Sequence, residues 1–235
     1  MLLKNFNHRP HQYKYFTLLA MLVPTLFIAA ASMAYRFSLV GEGIIESGGA
    51  LILPTTYVLM DIITEVYGYE LSKNLIWYTL VCNAVFTVVI IGIIHLPAPS
   101  NWHLKNAYTE VFTPLWRLGL SSTVGQLVGG FINIYALSKW KILLKGRYFW
   151  LRSIGASAIG EACLNTIGFL IAFIGAISLH GVFELMLASW LYKLIFAAIM
   201  AYPANLLVNL LKVVEKTDVY DVDTNFNPLA SNKKA

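Results

Sequence analysis

Asp61 and Glu65 lie four residues apart inside an apolar segment, Pro54 to Glu70 (PTTYVLMDIITEVYGYE), and helical spacing puts both carboxylates on one face. An acid at the centre of a membrane-spanning helix costs roughly 2.5–3.5 kcal/mol on insertion scales, so a pair of them needs a polar interior or a ligand to face. A third acid, Glu161, recurs with Ser153, Ser157 and Asn165 at intervals of four. At about 1.5 Å per residue from Arg152, Glu161 reaches the middle of a bilayer, the depth of a transport site. The competing role for Glu161 is a structural ion pair with Lys193 or Arg152. Ser122, Gln126, Gly129 and Asn133 form a second polar stripe. Lipid satisfies neither amide, so Gln126 and Asn133 must face protein or water. Gly125 and Gly129 suit close helix packing. Asn83 stands alone, divided between the site and an interhelical hydrogen bond. Tyr57, one turn before Asp61, and Trp77 are aromatic residues, which on such helices commonly serve as packing and interface anchors.

The elements that must position these residues are apolar and close to bilayer length. Of 235 residues, 58% are hydrophobic and 12% charged, the balance of a polytopic membrane protein rather than a soluble domain. Six stretches of about 20 residues predict six transmembrane helices: Tyr15 to Ala34, Gly48 to Tyr67, Leu75 to Leu96, Leu115 to Leu137, Ser153 to Leu179 and Leu185 to Leu211. The first could imitate a signal peptide, but its length and the five stretches behind it predict an uncleaved helix. The predicted class is all-α, with a single transmembrane domain over 15–214, a cytoplasmic N-terminus over 1–14 and a polar cytoplasmic tail over 215–235. Helices 2 and 5 are the middle members of two three-helix sets, which allows inverted halves, although no residue-level similarity joins them.

Lys and Arg set the orientation, because cytoplasmic loops retain them. Lys4, Arg9, Lys14, Lys73, Lys139, Lys141, Lys145, Arg147, Arg152, Lys212, Lys216, Lys233 and Lys234 fall on one side, against Arg36, Lys105 and Arg117 on the other. Both termini are predicted to be cytoplasmic. Topology thereby accounts for the net charge of +5, and no nucleic-acid surface is called for. The connection from Pro97 to Pro114 carries Trp102, His103 and Tyr108 and suits the membrane surface. Cys82 and Cys163 sit in apolar segments, as packed free thiols do. Neither G-x-S-x-G nor H-E-x-x-H occurs, and the five histidines lie at helix ends or in loops, which argues against an intramembrane hydrolase. No metal or cofactor site is expected.

Four segments in order, DIITEVYG from Asp61 to Gly68, NIYALSK from Asn133 to Lys139, RSIGASAIGE from Arg152 to Glu161 with Asn165-Thr166, and TNFNP from Thr224 to Pro228, resemble the bacterial queuosine precursor transporters, also named vitamin uptake transporters. The resemblance implies import of a 7-deazaguanine, such as 7-cyano-7-deazaguanine or 7-aminomethyl-7-deazaguanine, across the bacterial inner membrane for tRNA queuosine modification. A guanine-like base presents adjacent N–H donors, which suit a carboxylate from Asp61, Glu65 or Glu161, while Asn83, Gln126, Asn133 and Asn165 are available for the remaining edge and Tyr57 and Trp77 for stacking on its flat face. The rival expectation is the substrate-binding membrane subunit of a multi-component vitamin importer, for which Ala30-xxx-Ala34 could be a docking stripe. Expected partners are the small molecule and lipid, with a homo-oligomer left open.

The charge bias generates a test. Cysteines placed at Lys145 and Asn225 should react with an impermeant thiol reagent only from the cytoplasmic side, and one at His103 only from outside. Labelling of position 145 from outside would overturn the orientation.

Overall fold

In a medium without water a helix satisfies its own backbone groups, and the apolar stretches are accordingly helical. The computed structural model describes residues 13–39, 45–99 and 101–230. Lys4, Arg9, Lys233 and Lys234, which contribute to the predicted charge bias, lie outside the described residues. The elements are α1 (Phe16–Ser32), β1 (Phe37–Leu39), β2 (Ile45–Ser47), α2 (Gly48–Tyr67), α3 (Tyr69–Ile94), α4 (Lys105–Phe112), α5 (Leu115–Leu143), α6 (Phe149–Phe173) and α7 (Leu179–Glu215). Five helical stretches are long and apolar enough to cross a membrane, with α4 and α5 counted as one. α1, at 17 residues, is shorter than the usual span of about 20. It packs along α2 and α3.

Helices alternate in direction, so that the start of α1 and the ends of α2 and α7 meet. Glu215, the last residue of α7, accepts hydrogen bonds from the backbone N–H groups of Lys14 (2.9 Å) and Tyr15 (2.7 Å) and from the Tyr67 hydroxyl (2.9 Å). At this basic end α5 runs to Leu143 rather than stopping near Leu137, and α6 begins at Phe149 rather than Ser153. The longer helices carry Lys141 and Arg152 inside, where each is no more than 2% exposed. Residues after α7 fold back over the same end. Asp221 accepts from the Tyr69 N–H, the Tyr69 hydroxyl donates to Phe226 O, Lys73 to Ala230 O and Trp77 to Pro228 O. Gly68, with φ +87°, gives the α2–α3 turn room to lie against Val219.

At the opposite end β1 and β2 pair antiparallel, with Ser38 opposite Glu46, an element the all-helical expectation lacked. Ala30 and Ala34 are covered there by Gly49 of the same chain: a Cβ on Gly49 would lie 2.6 Å from Ala30 O. α4 in the 97–114 connection buries no side chain, and Trp102 and Tyr108 bring their rings within 5.3 Å. Outside the bundle, Val81, Val85 and Val88 on α3 and Phe183, Leu187, Leu191, Ile195 and Ile199 on α7 form exposed apolar stripes, the surface a lipid environment covers.

α2 sits in the middle, in contact with α1, α3, α5, α6 and α7. The closest helix pair is α5 with α6, where Gly125 and Gly129 meet Gly160, Leu164 and Gly168 backbone to backbone. Small residues permit this approach, and Ser121 Oγ donates to Gly168 O across it (2.6 Å). A Cβ on Gly160 would lie 2.7 Å from Gly129 O and 2.8 Å from Asn133 Cβ. Gly160→Ala should therefore destabilise the protein by about 1–3 kcal/mol, read as lower thermal stability in detergent. Gly92→Ala, at a position with nothing within 4 Å, should not.

Candidate functional site

Tyr57, Asp61, Glu65, Asn83, Gln126, Asn133, Glu161 and Asn165 are all buried, each no more than 3% exposed. The helical repeat of α2 turns Tyr57, Asp61 and Glu65 toward α5 and α6 at successive turns. Asp61 is held by neutral donors: Oδ1 accepts from Asn133 Nδ2 (2.6 Å), and Oδ2 accepts from Ser153 Oγ (2.5 Å) and Ser157 Oγ (3.1 Å). Three hydrogen bonds leave one of about four acceptor positions on the carboxylate.

Glu65, one turn nearer the basic end, is surrounded by cations instead. Arg152 grips both oxygens at 2.7 and 3.1 Å, Lys212 donates at 2.7 Å and Lys141 stands 3.7 Å away. Lys141 also donates to Glu65 O, Asp218 Oδ1 and Val219 O, and Lys212 pairs with Asp218 at 2.9 Å. Burial opposes the charge on Asp218, but the hydrogen bonds from Lys141 and Lys212 outweigh it and hold this carboxyl below its ordinary range. Its contribution to stability is therefore complete above the ordinary carboxylate range and is lost as pH falls through the lowered value.

On α6, Glu161 faces Lys193 of α7 at 3.4 Å, and Lys193 Nζ donates to Asn165 Oδ1 (2.6 Å). Of the two ion pairs open to Glu161 in the sequence, Lys193 provides this one and Arg152 belongs to Glu65. Ser157 connects the groups, bonding Asp61 while lining a small space with Glu161, Trp190 and Lys193. Tyr57, Gln126 and Asn133 line a second such space on the other side of Asp61.

Several buried polar atoms here have no hydrogen-bond partner: Tyr57 Oη, Gln126 Oε1, Asn133 Oδ1, Asn165 Nδ2 and Ser189 Oγ, while Glu161 Oε2 has only the ion pair with Lys193. An unsatisfied buried donor or acceptor costs about 1–3 kcal/mol, so their concentration on four helices around one acid has the chemistry of a polar-ligand site. The sense of two amides is set by their partners. Asn133 gives its nitrogen to Asp61 and presents oxygen; Asn165 gives its oxygen to Lys193 and presents nitrogen.

Asn83 joins α3 to α5, donating to Ser122 Oγ (3.0 Å) and Thr123 Oγ1 (3.2 Å) with its own oxygen unpartnered. Trp77 packs against Phe131 and bonds the tail. No group of three or more His, Cys, Asp or Glu among the described residues is placed to hold a metal ion. A cavity of about 80 Å³ descends from the hairpin end, with Ser47, Gly49 and Ser121 in its wall and Lys193 among its lining.

Residues 47–208, which contain this polar centre, match the family described as "Putative vitamin uptake transporter". The chain belongs to that family. The chain is also 22% identical over 152 residues to a probable queuosine precursor transporter of Bacillus subtilis (strain 168). The match covers 64% of the chain and 66% of the relative's own length, just under two thirds. No solved structure matches the chain.

Sequence reasoning missed the company Glu65 keeps. Lys141, Arg152 and Lys212 are counted there as loop charges, and Asp218 as part of a solvated tail. A usable signal was the position of Lys141 and Arg152 at the edges of apolar segments, where one extra helical turn takes a base inside. Ser189 and Glu46 carried no signal, since one lies among apolar residues and the other reads as loop.

Glu65→Gln removes the shared countercharge of three cations. Breaking a buried pair costs about 3–5 kcal/mol, so this variant should lose most of its folded population in a thermal-unfolding assay. Retention of wild-type stability would show that Asp218 alone neutralises the group.

Proposed function

We propose that this transporter imports a 7-deazaguanine queuosine precursor across the bacterial inner membrane, with both termini cytoplasmic, and that the base binds around Asp61 between α2, α5 and α6. The observation that carries the reading is the set of unpartnered atoms. Gln126 Oε1 and Asn133 Oδ1 are acceptors for the N–H edge of a guanine-like base, Glu161 Oε2 becomes one when it leaves Lys193, and Asn165 Nδ2 is a donor for its carbonyl. Tyr57 supplies both a hydroxyl and a ring face. Asp61 orients Asn133 and keeps one acceptor position of its own. Glu65 stands beside the site, its oxygens committed to cations, and fixes the turn of α2 that presents Asp61. Asn83 extends the polar lining toward α3. The name of the Bacillus subtilis relative points to the same ligand class.

The small spaces lined by Tyr57, Gln126 and Asn133 and by Ser157 and Glu161 have no room even for a water molecule, whereas small-molecule sites run to about 300–1,000 Å³. Binding therefore separates the helices around Asp61, as alternating access about a central site requires. The two acid-bearing helices, α2 and α6, are the elements that inverted halves would place in equivalent positions.

The test is uptake of labelled 7-cyano-7-deazaguanine by the protein alone in lipid vesicles. Asp61→Asn and Glu161→Gln should each slow uptake about 10- to 100-fold, the worth of a charge-assisted hydrogen bond, while remaining folded in detergent. Adenine, with a different donor and acceptor edge, should compete poorly. Normal uptake by both variants would remove the acids from the site. Uptake that requires a second protein would favour the binding-subunit role in a larger importer.

A further inference from the structure

Lys193 holds an acceptor, Glu161, that a donor-bearing ligand needs. Its ammonium lies 2.6 Å from Asn165 Oδ1 and 3.4 Å from Glu161 Oε2. A base that presents N–H groups to Glu161 must displace this cation, and in an interior only 1% exposed at Lys193 the displaced charge needs another anion. Glu46 on β2 meets that need. It is 1% exposed, and no side chain bonds either carboxylate oxygen. Burial pushes its carboxyl up, and the nearby Lys193 charge pulls it back. β2 packs on α7, so the two residues sit on touching elements. A lysine carries its charge on a flexible four-carbon stem, which allows such a move without a shift of the helix.

We propose that Lys193 is a specificity-determining residue that exchanges partners during transport, leaving Glu161 and Asn165 when the N–H edge of the ligand takes Glu161 and its carbonyl takes Asn165 Nδ2, and pairing with Glu46 on the outer hairpin. The exchange rests on the function proposed above and adds a gate to it. Lys193 and Ser47, the residue after Glu46, both line the cavity that descends from the hairpin. Pairing with Glu46 ties β2 to α7 across that cavity as the deeper site fills. A ligand without N–H donors leaves Lys193 on Asn165 and the hairpin untied, so recognition and closure are one event.

Ser38 pairs with Glu46 in the hairpin register and reports on its closure. In purified protein with Cys82 and Cys163 replaced by Ser, the reaction rate of Ser38→Cys with a maleimide measures exposure of the hairpin. Adding Glu161→Gln, which weakens the hold on Lys193, should slow that reaction at least about fivefold with no ligand present; adding Glu46→Gln as well should restore the original rate. Asn165→Ala removes the shorter contact and should act like Glu161→Gln, which keeps the test decisive if one variant fails to fold. Unchanged rates in both would overturn the exchange. With 7-cyano-7-deazaguanine as probe, the reaction should slow in the parent and not in Glu46→Gln. Slowing by the substitutions with no response to the probe upholds the exchange and overturns the substrate. A probe response undiminished in Glu46→Gln overturns the exchange and leaves the substrate standing.

Discussion

Arg152, Lys141 and Lys212 converge on one carboxylate near the end of α2, and of the four charges only Lys212 is partly open to solvent. The contact joins α2, α5, α6 and α7 at a single point. Asp218 adds a second anion from the folded-back tail, so three cations meet two carboxylates. Desolvation makes such a group expensive to build, and its mutual hydrogen bonds make it more expensive to take apart. α2 is thereby fixed in rotation at its basic end. Because Asp61 lies one turn away on the same face, the rotation set by Glu65 also aims Asp61 at Asn133, Ser153 and Ser157.

The contrast between the two acids follows from what surrounds them. Four residues separate them, yet Glu65 meets only cations and backbone, whereas Asp61 meets hydroxyls and an amide. A site ringed by neutral dipoles can exchange hydrogen bonds with a ligand at modest cost, while a carboxylate locked to three cations cannot. The glycine seam between α5 and α6 serves the same end, since it brings Asn133 and Gly160 close enough for both helices to face Asp61.

Much of this was legible in the sequence. Apolar lengths marked the helices, because a bilayer demands about 20 residues per crossing, and the polar stripes at intervals of four marked the faces that turn inward. The first helix fell short of that length and the hairpin escaped notice, since six strand residues between two apolar stretches leave no periodic signal. Glu65 looked equivalent to Asp61 because spacing reports direction and not company. Its partners come from positions 141, 152, 212 and 218, and only the fold brings those together. The tail read as polar and solvated for the same reason: its contacts are made largely through backbone oxygens, which no side-chain pattern reveals.

The first helix receives its N-terminal cap from the far end of the chain. The free N–H groups at the start of α1 are met by Glu215, 200 residues downstream of Tyr15, where a carboxylate also complements the positive end of the helix dipole. During synthesis α1 therefore enters the membrane long before its cap exists. The start of α1 is finished by the last helix, once α7 has brought Glu215 to it.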